Sequence, residues 1–268
     1  MLAITIESFY NFKKLPFAKN LTPSEIFATE ATRELHSRLE YMKERRGILI
    51  VTGLSGVGKT LQLRAFTETL SAACYLPLYL PLSTVTVGDF YRQINAALGG
   101  ERQFRKIDVF ASIQRQIKHL VSNEKKIPII ILDEAHRLSR DALLELQVIA
   151  NFQMDSLDPA LFILAGQPEL PDRLNAAIYD SLCQRIHLKF HLPPLSAQEV
   201  GPFMAHHLKI AGRSKSLFAS DGVDAVYQTT GGIQRKVCQL AFKTLALGAL
   251  QEKESLTAEE VFLAARES

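Results

Sequence analysis

The chain has 268 residues, 47% hydrophobic and 22% charged, with a formal net charge of +3. That balance describes a soluble globular protein with room for one or two full domains, and no internal repeat or low-complexity tract interrupts it. The longest apolar runs are far too short for a membrane span. The stretch Met1-Leu2-Ala3-Ile4-Thr5-Ile6-Glu7 lacks the charged region and cleavage site of a signal peptide, so a cytoplasmic setting is expected.

The first 46 residues read as an N-terminal extension. Phe9-Tyr10-Asn11-Phe12-Lys13-Lys14-Leu15-Pro16-Phe17 is a dense aromatic patch. Two readings of it stand level: an anchor across the core, or a wall of an adenine pocket, since a flat base wants apolar and aromatic surroundings. Thr22-Pro23-Ser24-Glu25 has the pattern of a capping box with proline at the first helical position. A helix is expected from about Thr29 to Arg46, with Leu35, Leu39 and Met42 on one face and Gly47 as its stop.

Gly47-Ile48-Leu49-Ile50-Val51-Thr52 is then an apolar, β-branched run of strand type. It leads into Gly53-Leu54-Ser55-Gly56-Val57-Gly58-Lys59-Thr60, which fits G-x-x-x-x-G-K-[ST] at every fixed position. From Leu61 to Leu70 apolar residues recur at helical spacing. Strand, glycine-rich turn and helix together form a phosphate-binding loop. The glycines let main-chain N–H groups face a phosphate chain, and the helix N-terminus adds positive dipole. Residues 53 to 61 are therefore expected against a nucleotide. Lys59 is expected to reach its β- and γ-phosphates, and the Thr60 hydroxyl to bind Mg²⁺.

A strand is expected at Cys74-Tyr75-Leu76-Pro77-Leu78-Tyr79-Leu80, followed by helices near Val87 to Leu98 and Asp108 to Val121. Ile127-Pro128-Ile129-Ile130-Ile131-Leu132-Asp133-Glu134 then reads as a buried parallel strand ending in two acids. Its C-terminal end would open on the crevice where α/β sheets bind ligands. Asp133 is expected to hold the Mg²⁺ water shell and Glu134 to activate the attacking water. The acidic pair points to ATP hydrolysis rather than to a kinase or a switch GTPase, and no guanine-reading N-K-x-D string is present. A helix from Ser139 to about Phe152 and strands at Ala160 to Gln167 and Ile186 to Phe190 complete the alternation. The fold class is accordingly α/β, a parallel, right-handed sheet flanked by helices.

The character changes at Pro193-Pro194. Ser196-Ala197-Gln198-Glu199 is a second capping box, and helices are expected from it and at 217–228, 232–249 and 257–266. The division expected is an N-terminal extension at 1–46, an α/β ATPase domain at 47–195 and a small all-helical domain at 196–268. Cys74, Cys183 and Cys238 show no metal or redox spacing and are expected in the core as reduced thiols. The seven histidines show no metal arrangement. His207, on the apolar face of its helix, reads as packing, and His187 and His191 flank a strand.

An α/β phosphate-loop domain followed by a helical lid resembles the AAA+ class of ATPases. Arg235, in Thr230-Gly231-Gly232-Ile233-Gln234-Arg235, resembles the lid arginine that touches the γ-phosphate (sensor 2). Arg185, in Ser181-Leu182-Cys183-Gln184-Arg185-Ile186, resembles the arginine finger that reaches a neighbouring subunit's nucleotide. Arg173 is an alternative finger. Gln167 falls at the sensor-1 position, where the class more often carries Asn or Thr. Tyr10-Asn11-Phe12 with Pro16-Phe17, Asp133-Glu134-Ala135-His136, Asn151-Phe152 and Leu164-Ala165-Gly166-Gln167-Pro168-Glu169-Leu170 are similar to the ExeA-type branch of that class. In that branch, long forms carry a transmembrane helix and a peptidoglycan-binding domain and serve secretion. Short forms resemble the transposition regulators TnsC and TniB. The resemblance implies ATP, Mg²⁺, assembly into a homo-oligomeric ring or filament, and partners that are either double-stranded DNA with a transposase or target-selection protein, or a secretion apparatus. Because this chain ends just after the lid, the expectation is the transposition role, without a membrane.

DNA binding has modest local support. Residues 101–126 hold seven basic residues against three acidic ones. Arg102, Arg105 and Lys106 come after the Gly99-Gly100 break and are expected in a loop or helix start, where they would hold a phosphate backbone without reading sequence. A solvated helix face accounts for the same residues nearly as well.

Overall fold

The computed structural model describes residues 6–81, 86–154 and 156–266. In chain order the elements are α1 (Ile6–Tyr10), α2 (Glu30–Arg45), β1 (Gly47–Thr52), α3 (Lys59–Thr69), β2 (Tyr75–Pro81), α4 (Val87–Ala97), α5 (Lys106–Ser122), β3 (Ile127–Asp133), α6 (Arg140–Ile149), β4 (Leu161–Gly166), α7 (Glu169–Leu174), α8 (Asp180–Cys183), β5 (Ile186–His191), α9 (Ala197–Ile210), α10 (Ser220–Thr230), α11 (Gln234–Leu250) and α12 (Ala258–Arg266). The chain divides into two compact units. A sheet unit holds Ala31–Gly53 and Lys59–Leu192. A helical unit holds the chain up to Glu30, the short segment Leu54–Gly58, and the chain from Pro193 on.

The sheet is parallel throughout, in the order β2-β3-β4-β1-β5. β4 lies between β3 and β1, pairing Leu161 with Gly47 on one side and with Ile129 on the other. Every residue of β1 and β4 is buried, which is why both read as unbroken apolar runs rather than alternating ones. With all strands parallel, the C-terminal ends of β1 and β3 open on the same edge of the sheet, and that edge is where α/β folds place ligands. Pro128 precedes the β3–β4 pairing, which begins at Ile129, so its missing N–H costs no ladder bond there. β2 and β5 are the two edges. Pro77 and Pro81 lie in β2, as edge strands allow.

Leu35, Leu39 and Met42 of α2 are buried on the single face their spacing dictates. Arg46 takes a left-handed turn (φ 66°), and Gly47 opens β1 rather than only ending the helix. Helix α6 stops at Ile149, short of the Phe152 expected from periodicity. Phe152 is instead buried and bridges to Leu157, with Gln153 and Met154 at φ 49° and 53° in the turn between them. Helices α1, α7 and α8, of 5, 6 and 4 residues, are too short for a hydrophobic period to reveal them in the sequence.

The helical unit gathers α1 and α9 to α12 on one apolar core. Tyr10, Phe12 and Phe17 are buried in it beside Leu195, Phe203 and Met204, so the aromatic patch is an anchor within this unit. The Tyr10 hydroxyl donates to the carbonyl of Lys253 at 3.0 Å. Ser196 and Glu199 form a true capping box ahead of α9. The Thr22 box is also formed, but it caps only a single 3-10 turn at Pro23–Glu25, since Ile26 returns to extended backbone. His207 is buried and stacked on Phe17 at 5.3 Å, as its place on the apolar face implied. Cys183 and Cys238 are half-buried, whereas Cys74, expected in the core, is exposed in the turn before β2.

Candidate active site

In the sheet unit, β1 delivers Thr52 and Gly53 to the sheet edge and α3 begins at Lys59. Lys59 is buried, an uncommon place for an ammonium, and its Nζ donates to the carbonyl of Gly53 at 2.7 Å. An ammonium has three donors to satisfy when buried, and the Gly53 carbonyl accepts from one of them.

Asp133 ends β3 and is also buried, at 3% exposure. Its carboxylate is held by three donors. Thr60 Oγ1 donates to Oδ2 at 2.8 Å, Tyr79 from β2 donates its hydroxyl to the same Oδ2 at 2.8 Å, and the main-chain N–H of Glu134 donates to Oδ1 at 2.9 Å. Desolvation and then the bond to Asp133 push the Tyr79 phenol pKa well up, so it is the donor in that pair. The sequence motifs pair Thr60 with Asp133 and pass over Tyr79. The signal for it is the alternation of β2, which places Tyr79 two positions from the strand's end beside the acidic strand.

Glu134 comes next in left-handed backbone, φ 56° and ψ 32°, which a residue with a Cβ adopts only at a cost of roughly 1 kcal/mol. Its turn swings the side chain out of the strand line and starts the 3-10 turn Ala135–Arg137. Glu134 Oε2 lies 3.5 Å from His136 Nε2. Gln167, at the end of β4, sends its main-chain N–H to His136 Nδ1 at 3.4 Å and sets its side-chain amide 3.1 Å from Nε2. His136 is thus the ring on which Gln167 and Glu134 converge. Arg173 of α7 braces the same turn, its guanidinium donating to the carbonyls of His136 and, at 2.8 Å, Leu138. These bonds engage the Arg173 guanidinium within its own chain.

The loop segment Leu54–Gly58 groups with the helical unit. There the main-chain N–H of Arg235 donates to the carbonyl of Gly56 at 3.0 Å. Gly56 and Gly58 have φ of 86° and 105°. A Cβ on Gly56 would meet Arg235 Cβ at 2.9 Å, and one on Gly58 would meet Gln234 Oε1 at 2.7 Å. Both glycines are needed for their backbone, and Gly56 also for the close approach of Arg235 Cβ, since Gln234 Oε1 is the movable end of a side chain. The Arg235 side chain is exposed at the start of α11. Gly232, just before it, packs so closely that a Cβ would lie 1.9 Å from the carbonyl oxygen of Leu195. Leu54 and Ser55 are exposed and Val57 is buried, while Leu61 is half-buried on α3 in the sheet unit.

Arg185 is half-buried in the turn between α8 and β5. Of the basic candidates, Arg102 lies in the loop before α5 with its guanidinium 5.8 Å from the centre of the Phe104 ring. Phe104 itself is 84% exposed. Arg105 is paired with Asp108 at 2.8 Å, and Lys106 is paired with Glu145 of α6. These two are therefore partly neutralised.

A magnesium ion suits the sheet-edge group. Thr60 and Asp133 offer hard oxygen donors, and Mg²⁺ is usually held by one or two carboxylates together with substrate phosphates and waters. Among the described residues no group of three or more His, Cys, Asp or Glu is gathered so as to hold a metal ion.

Residues 42–174 match the family model described as AAA domain, a span that takes in the phosphate loop, Tyr79, Asp133, Glu134 and Gln167. Cdc6p from Pyrobaculum aerophilum superposes with a TM-score of 0.72 at 13% identity, covering 94% of this chain and 70% of that one. The chain carries an AAA domain and is an ATP hydrolase of the AAA+ P-loop fold.

Other solved structures share the ATPase's fold. The Aeropyrum pernix ORC2 protein in its ADPNP–ADP complexes gives a TM-score of 0.70 at 16% identity, over 94% of this chain and 70% of that one. ORC from Drosophila bound to DNA gives 0.69 at 15%, over 94% and 63%. By sequence, the ATPase is 26% identical over 266 residues to general secretion pathway protein A of Aeromonas hydrophila. That likeness takes in 97% of this chain but 48% of the relative, so the chain spans about half the relative's length. The expectation drawn from where the chain stops therefore loses its footing, because a matching half says nothing of what adjoins it. Among the described residues no helix is long and apolar enough to cross a membrane.

Proposed function

We propose that this AAA+ ATPase is an ExeA-like module that couples ATP turnover to a secretion apparatus of the cell envelope. The observation that carries the reading is the likeness to general secretion pathway protein A, which runs through 97% of the chain, lid helices included.

Each site residue has its own part in turnover. Lys59 meets the β- and γ-phosphates, and the loop N–H groups of Leu54 to Gly58 line the phosphate chain. Thr60 and Asp133 would hold Mg²⁺, which would supply positive charge to offset that of the phosphates. Glu134 takes a proton from the attacking water, and its left-handed backbone keeps the carboxylate turned out of the sheet for that task. His136 and Gln167 steady that carboxylate. Arg235 reaches the γ-phosphate from the start of α11. Arg185 serves a neighbouring copy's nucleotide, so ATP favours assembly and hydrolysis favours release.

A second reading, a TnsC- or TniB-like regulator that assembles on double-stranded DNA for a transposase, has one observation in its favour. Arg102 and the exposed Phe104 form a basic, aromatic loop tip of the kind that grips a nucleic acid. Sedimentation with a slowly hydrolysed ATP analogue separates the two. The secretion reading expects assembly that needs nucleotide and ignores DNA. Assembly that requires double-stranded DNA, and weakens in Arg102→Ala, moves the assignment to the second reading.

A further inference from the structure

Tyr79 stands outside the phosphate loop, the acidic strand end and the arginines. Its ring lies on the edge strand β2 and is 51% exposed, yet its hydroxyl reaches a carboxylate that is 3% exposed. The register explains the reach. Tyr79 is paired with Ile131 and Pro81 with Asp133, so Tyr79 and Asp133 are two positions apart on neighbouring strands. Side chains two positions apart project to the same face of a sheet, and tyrosine is long enough to span the gap.

The bond changes what Asp133 has left to offer. A carboxylate carries about four acceptor positions. Two on Oδ2 are taken, by Thr60 and Tyr79, and one on Oδ1 is taken by the Glu134 N–H. One remains, on Oδ1. Fixed at three points, the carboxylate has no freedom to rotate. Without Tyr79 it would keep one hydroxyl donor and one amide donor, with a second Oδ2 position open.

We propose that Tyr79 is a positioning residue for the divalent cation that accompanies the nucleotide. It locks the Asp133 carboxylate in one orientation, leaving a single acceptor for the cation's water shell, and makes the cation site depend on a residue of the sheet's open edge. The inference rests on the Mg²⁺–nucleotide reading of this site.

The test is the Tyr79→Phe variant, which keeps the ring and removes the hydroxyl. A fluorescent ADP analogue is titrated into the full chain in EDTA and then in graded MgCl₂. Metal-free affinity should match wild type, while the Mg²⁺ concentration giving half of the metal-dependent gain should rise about five- to tenfold, the effect of losing one hydrogen bond to a charged group at a half-exposed position. Thermal unfolding in EDTA should stay near wild type, which separates positioning from folding. An unchanged or tightened Mg²⁺ response in Tyr79→Phe overturns the proposal. If wild type itself binds the analogue with no Mg²⁺ dependence, the underlying cation reading fails, and that result is distinct because no variant is needed to see it.

Discussion

The main-chain N–H of Arg235 donates to the carbonyl of Gly56 at 3.0 Å. Gly56 and the first turn of α11, both in the helical unit, are thus joined through backbone, and the exposed Arg235 side chain starts from a fixed point beside Gly56. Any residue larger than glycine at position 56 must both adopt φ 86° and crowd Arg235 Cβ at 2.9 Å. That contact is with Cβ, not with a flexible side-chain end.

Gly56→Ala should therefore lose roughly 1–2 kcal/mol of stability and melt ~2–8 °C lower. Its nucleotide affinity should fall with it. Calorimetry and a fluorescent-nucleotide titration check both. A variant with wild-type melting and binding would mean the loop does not need the left-handed turn.

Lys59→Ala removes a buried cation whose main-chain bond to Gly53 is already in place. ATP affinity should drop by on the order of 10- to 100-fold, the worth of one or two charge-assisted hydrogen bonds. Equilibrium binding reads the change directly. Tight binding in the variant would dissociate the loop from phosphate recognition.

Much of this arrangement is legible in the sequence. The glycine spacing with Lys59 and Thr60, and the aliphatic run ending in Asp133 and Glu134, locate the sheet edge because each motif is contiguous. β1, β3 and β4 show as apolar runs because they are buried on both faces. Tyr79 and His136 are not legible as participants because their roles come from tertiary register: Tyr79 meets Asp133 from another strand, and His136 meets Gln167 across 31 positions of chain. Arg173 looks equivalent to Arg185 by sequence, and its two carbonyl partners lie in a turn that the sequence does not place beside it. The surplus of positive charge between residues 101 and 126 overstates the case for DNA, since Arg105 and Lys106 are paired to acids that a charge count cannot place.

The helical unit should be sensitive to acid. Burial, and then the neighbouring His206, push the His207 pKa down to about 4 from an ordinary 6.5. Unfolded chains bind a proton there below 6.5 while the folded chain does not, so stability is full above that pH and is lost progressively toward pH 4. The full effect is on the order of 3 kcal/mol. Glu260 adds to it at lower pH. Burial alone would raise its pKa, but the Lys253 pair and the Thr257 bonds win and hold it at about 2, so its contribution is lost as pH falls below 4.5. His207→Phe should flatten the melting profile between pH 6.5 and 4 and leave the steeper loss below it. A profile unchanged by the substitution would place the acid response elsewhere.

Glu134 sits in left-handed backbone, so its side chain is kept at a conformational cost. Glu134→Gly should melt no lower than wild type, against the loss of up to ~1 kcal/mol usual for introducing glycine. It should also be inactive. A marked destabilisation would show that the turn is not strained.

The most direct test of the account is ATP turnover by wild type and Glu134→Gln, with ATP affinity measured alongside. Glu134→Gln should bind ATP as wild type does and turn it over roughly 10²- to 10⁴-fold more slowly, the range for loss of a general base. Equal turnover in the two proteins would contradict it.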